Sequence, residues 1–214
     1  MRLKPFSLPI AFFTVLTFLT GSTSWGNLIT FDDITTGTNA DGVLHAPTIA
    51  NGYQGLNWGN FFAVSGPAEA RLFGTNGYYY GMVTVSNVAL NGGGTAAEID
   101  SAGTDFNFVS TYLTGAWNSN LSIEVEGFRS GTLLYDTTVV ASATSPILFT
   151  FNYTSIDQLV FNSFGGQPAG FPNGGGESFA MDNFDFEFIP EPSSLLLATF
   201  GALVLWPLVK HKRV

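Results

Sequence analysis

Cysteine is absent from the 214 residues. That excludes disulfides, thiolate metal sites and a cysteine nucleophile. Histidine is nearly absent too: His45 and His211 are the only two. A Ser-His-Asp relay would depend on His45, in the turn-like stretch "DGVLHAP". A zinc site, which usually draws on several histidines, lacks its ligands. Neither a G-x-S-x-G elbow nor an H-E-x-x-H helix is present. Basic residues are also scarce. From Asn27 to Ile189 there are two, Arg71 and Arg129, against 15 acidic residues, a net charge of −13. Such a body will not bind nucleic acid by neutralising phosphates, and it attracts divalent cations instead.

What the chain has in quantity is apolar surface and turn formers. Hydrophobic residues make up 45% and charged residues 11%, with 25 glycines and 21 phenylalanines. A disordered chain would show the opposite balance. Few residues favour helix, and no stretch of the body shows a convincing helical period. In "LSIEVEGF", Leu121, Ile123 and Val125 alternate with Ser122, Glu124 and Glu126, the pattern of a half-buried strand. "FNFVSTYL", "TLLYDTTVVA", "ILFTF", "DQLVF" and "NFDFEF" read the same way. Gly-rich turns separate them: "NGGG" from Asn91, "RSG" from Arg129 and "SFGGQPAGFPNGGGE" from Ser163. The expected fold is all-β, an antiparallel, jelly-roll-like β-sandwich over residues 27–188.

The two ends differ from this body. Residues 1–26 carry Arg2 and Lys4, an apolar stretch from Ile10 to Leu19, and then small residues. That is the layout of a secretory signal peptide, with cleavage expected after Gly26 or Ser24. At the other end, Leu195 to Val209 is an uncharged apolar run of 15 residues. As a helix it spans roughly 22 Å, short of the roughly 30 Å hydrocarbon core. Extended to about residues 193–209, with Lys210 snorkelling, it makes a marginal single transmembrane helix. Lys210, Lys212 and Arg213 would stop transfer on the cytoplasmic side.

The order of parts in residues 189–214 is the informative feature. Pro190-Glu191-Pro192 is followed by Ser193-Ser194, an apolar helix and the basic cluster at 210–213. This resembles the PEP-CTERM sorting signal of Gram-negative bacteria. The cluster here is Lys-His-Lys-Arg rather than the usual Arg-rich run. The resemblance implies signal peptidase at one end and an exosortase at the other. The tail would be a transient inner-membrane anchor, cut near the Pro-Glu-Pro. The body would then go to the cell surface or extracellular matrix, alongside exopolysaccharide. "LITFDD" and "AMDNFDFEF" at the ends of the body are similar to the bookends of domains that carry such tails.

Three chemistries remain open for the body. The first is calcium. Asp32 and Asp33 end the expected first strand and Asp182 begins the last. If those strands lie side by side, the carboxylates meet and could hold a structural Ca2+. They could equally accept hydrogen bonds from turn backbone N–H groups. The second is carbohydrate contact. "GLNWGNFF", "GYYYG" and "GAWNSN" mix aromatics with Asn and Gly, pointing to Trp58, Tyr78, Tyr80 and Trp117. Strand alternation would put Tyr78 and Tyr80 on one face. The competing reading is that these rings fill the core. The third is a glycan-active enzyme using paired carboxylates drawn from Glu124, Glu126, Glu69, Glu98 and Glu177. On an alternating strand such pairs are usually the solvated face. The expectation is a non-enzymatic exopolysaccharide-binding or structural module, a self-assembling component being one form of the latter. "NYT" at Asn152 and "NLS" at Asn120 match the glycosylation acceptor pattern by chance.

Overall fold

The computed structural model describes residues 26–190. The signal peptide and the segment from Glu191 onward, with the apolar helix and the basic cluster, lie outside the described residues. No described helix is long and apolar enough to cross a membrane. In chain order the strands are β1 (Asn27–Ile29), β2 (Gly37–Thr38), β3 (Leu44–His45), β4 (Asn57–Gly59), β5 (Phe61–Ser65), β6 (Asn87–Asn91), β7 (Ala97–Asp100) and β8 (Phe106–Gly115). They continue with β9 (Asn118–Ser119), β10 (Leu121–Arg129), β11 (Thr132–Ala141), β12 (Ile147–Ile156), β13 (Gln158–Phe164), β14 (Gln167–Pro168) and β15 (Phe179–Phe188). Two helices, α1 (Gly66–Phe73) and α2 (Gly77–Tyr80), stand between β5 and β6.

The strands form an antiparallel sandwich. One sheet runs β12-β8-β15-β6-β5, with β1 added beside β15; the other runs β11-β10-β13-β7-β4. From β7 to β15 the chain crosses repeatedly between the sheets. The alternation read in "LSIEVEGF" is the burial pattern of β10: Leu121, Ile123 and Val125 are fully buried. Its turn, Ser130-Gly131, has positive φ at both residues (48° and 74°), which matches the twist of a hairpin. The expected last strand ends at Phe188, as read from the sequence.

Rings cross the gap between the sheets. Phe161 of β13 lies 5.9 Å from Phe61 and Phe179 and 6.2 Å from Phe108, all on the opposite sheet. Trp58 stands edge-on to Phe61 at 5.4 Å and to Phe31 at 5.6 Å. Among the described residues, both sheets and this core lie within residues 27–188.

The sheet carrying β5, β6 and β15 is buried on both faces there. Phe61, Ala63, Ala89, Phe179 and Met181 point into the main core. The residues between them, Val64, Val88 and Ala180, join Tyr78 and Ala116 in a second small core. The helices and the β2–β3 ribbon cover it. Here the sequence expectation of no helix fails. In "SGPAEARLFG" the Ser65 hydroxyl accepts a hydrogen bond from the Ala68 N–H (3.3 Å), Pro67 sits in the first turn and Gly74 follows the end. The end signals outweigh a period too short to register over eight residues.

Candidate functional site

The first and last strands do lie side by side, Ile29 opposite Phe184 and Asn27 opposite Phe186. This brings Asp32 and Asp182 to one loop, residues 82–87. Asp182 is fully buried, and its Oδ2 accepts from the N–H groups of Val83 (2.7 Å) and Thr84 (3.0 Å). Asp32 accepts from the N–H groups of Ser86 and Asn87. Burial raises the Asp182 carboxyl to about 6; these hydrogen bonds oppose the shift and the charge of Asp32 adds to it. Asp33 is exposed and bound instead by the Tyr53 hydroxyl, so it stands apart from the pair. Among the described residues no three His, Cys, Asp or Glu side chains gather as metal ligands. Turn backbone N–H groups and the Thr84 hydroxyl account for the observed bonds of both aspartates, although two carboxylates at one loop remain a cation-attracting arrangement.

The four aromatic residues separate. Trp58 is 4% exposed, in the core, with its indole N–H donating to the Tyr53 carbonyl (3.1 Å). It presents no ring face to solvent, because β4 is an edge strand paired with β7 rather than a loop, and Trp58 packs into the core. "GYYY" is not a strand. Asn76 caps its first turn by accepting from the Tyr78 N–H (3.1 Å) and Gly81 ends it, so Tyr78 and Tyr80 diverge. Tyr80 stacks on Phe171 at 5.9 Å. Tyr78 turns inward and meets Trp117 edge-to-face at 5.9 Å. Gly77 makes this possible: a Cβ there would stand 1.9 Å from the Gly115 carbonyl oxygen. Its N–H donates to Ala116 (2.8 Å), fixing α2 against the end of β8.

Tyr78 and Trp117 form one side of a cleft of about 350 Å³ on the helical face of the sandwich. Phe62, Leu90, Leu44 and Glu69 of α1 also line it. Burial pushes the Tyr78 hydroxyl up to about 12, and it stays neutral in contact with Ser178 and the Trp117 side chain. Glu69 is 5% exposed; its Oε1 accepts from the buried Asn76 amide (3.3 Å), while its Oε2 has no hydrogen-bond partner. Burial raises its proton affinity, and the Asn76 bond works against that. The loop after β14 closes over Trp117: a Cβ on Gly174 would stand 2.1 Å from the indole.

A second hollow, about 300 Å³ at Gly59, Asn60 and Glu98, has no aromatic lining. Glu124 and Glu126 lie on the outer face of β10, opposite Thr138 and Asp136 of β11. Glu177 accepts from the Gly165 N–H (2.6 Å) and holds its loop. Sequence reading missed the combination of Phe62, Leu44 and Glu69 with Trp117. The cap signals around "SGPAEARLFG" could have placed Glu69 on a helix, but not against Trp117.

No family model matches the chain, and no curated protein matches it. Solved structures are similar to it, among them these two. One is a DUF4465 family protein from Bacteroides ovatus, 8% identical over 77% of this chain and 99% of the other, with a TM-score of 0.47. The other is TmCBM61 in complex with β-1,4-galactotriose, 9% identical over 66% of this chain and 94% of the other, with a TM-score of 0.33.

Proposed function

We propose that the body is a non-enzymatic module that binds glycan in the Trp117–Tyr78 cleft. The observation that carries this is the cleft's composition: aromatic and aliphatic side chains together with one buried carboxylate. Sugars present apolar C–H faces and hydroxyl edges, and such a cleft meets both. Cutting a glycosidic bond needs a second carboxylate across the cleft. Glu69 is the one acidic side chain lining it, which favours binding over hydrolysis.

The body is tested on immobilised glycans, including bacterial matrix polysaccharide. Binding that falls about tenfold in Trp117→Ala is expected, since one stacked ring contributes on the order of 1 kcal/mol or more. Failure to bind any glycan would leave a purely structural role.

The delivery route is part of the same proposal. The tail beginning at Pro190-Glu191-Pro192 is read as an exosortase address, acting after export by residues 1–26. Pro190 is exposed two residues beyond β15, where a protease can reach it. Replacing all three residues by alanine should leave unprocessed protein in the inner membrane, detected by fractionation and intact mass. Normal release of the variant would sink the sorting reading. A Ca2+ ion held by Asp32 and Asp182 belongs to this reading as an accessory stabiliser, without Asp33.

A further inference from the structure

We infer that the glycan taken by the cleft carries a protonated amine, the chemistry of a free hexosamine unit, and that Glu69 is the residue that selects it. This rests on the glycan reading and adds the ligand's charge.

Glu69 is more than nine-tenths buried, and one of its carboxylate oxygens accepts a single hydrogen bond while the other has no hydrogen-bond partner. An unsatisfied buried oxygen is costly in a folded protein and is normally found only where something else completes it. Asn76 is itself fully buried and donates to Oε1, which leaves Oε2 without a partner. Its other surroundings in the cleft are apolar or aromatic.

Among the described residues no Lys or Arg pairs with this carboxylate. Arg71, on the same helix, donates to the Thr38 hydroxyl (3.1 Å), and Arg129 pairs with Asp105. These two are the only Lys or Arg among the described residues. A sugar hydroxyl would satisfy the orphaned oxygen but do nothing to favour the ionised form, which burial disfavours. An ammonium group does both, through a charge-assisted hydrogen bond. The field of the body points the same way, since a net charge of −13 concentrates cationic ligands at its surface. Trp117, Tyr78 and Phe62 would then take the apolar faces of the sugar rings.

The experiment is calorimetric titration of the body with three hexamers of matched length: glucosamine, N-acetylglucosamine and neutral glucose. The glucosamine hexamer should bind about tenfold more tightly than the N-acetylated one. Glu69→Gln keeps the shape and the Asn76 contact, and should reduce that ratio to within about twofold. Trp117→Ala should weaken all binding. Equal affinity for the three hexamers, or a preference that survives in Glu69→Gln, overturns the inference while leaving glycan binding intact. No binding of any hexamer overturns the inference and, with the array, the glycan reading. The comparison of free amine with N-acetyl uses the unaltered protein, so it decides the matter even if Glu69→Gln does not fold.

Discussion

Single residues show how differently two tryptophans can serve. Trp58 and Trp117 both sit in Asn- and Gly-rich stretches, and nothing local tells them apart. Trp58 is surrounded by Phe31, Phe61 and Phe184, whereas Trp117 touches Tyr78 and the Gly174 backbone at the edge of a cleft. Removing Trp58 empties the core. Trp58→Ala should destabilise the body by about 3–5 kcal/mol in urea unfolding, several times the effect of Trp117→Ala. Equal losses for the two would mean that Trp117 is as structural as Trp58.

At the scale of elements, the long strands were legible and the short ones were not. β10 and the end of β15 follow from alternation, whereas β11 is a strand without alternating burial, Leu133 and Leu134 both being exposed. Helix α2 was misread because three tyrosines carry strand propensity, while Asn76 and Gly81 at its ends impose a turn. Helix α1 depends on its own cap more than on packing, since only Gly66, Ala68 and Glu69 are buried. Ser65→Ala should therefore cost about 1 kcal/mol by denaturant melt. Because α1 carries Glu69, the same change should also weaken ligand binding. Unchanged binding would mean that the cleft tolerates a frayed helix.

The whole molecule is an acidic sandwich with carboxyls it would rather keep neutral. Asp182 ionises near pH 3.8 when exposed but only at about 6 in the fold, chiefly through burial. Between those values the unfolded chain gives up a proton that the native protein retains. Stability is therefore greatest below about pH 4 for this group and is lost as pH rises through 6. Glu69, Glu126 and Asp185 are shifted upward as well, again chiefly by burial. The melting temperature of the calcium-free body should rise on acidification from pH 7 to about pH 4.5. A calcium ion at Asp32 and Asp182 would hold Asp182 ionised and remove that contribution. Added Ca2+ should then raise the melting temperature at pH 7, and EDTA should lower it again. A melting temperature indifferent to both would sink the ion while leaving the acid effect in place.

The sequence by itself determined the β architecture, the acidic surface, and the exclusion of cysteine and multi-histidine chemistry. These depend on composition and on periodicity along one stretch, which the linear order carries. Only the tertiary structure decided which aromatic rings face solvent, which of three aspartates share a loop, and that Glu69 of α1 lines the same cleft as Trp117, 48 positions later. Those outcomes depend on contacts between segments far apart in the chain. Burial of a ring or a carboxylate is a property of what packs against it, and local pattern does not contain that.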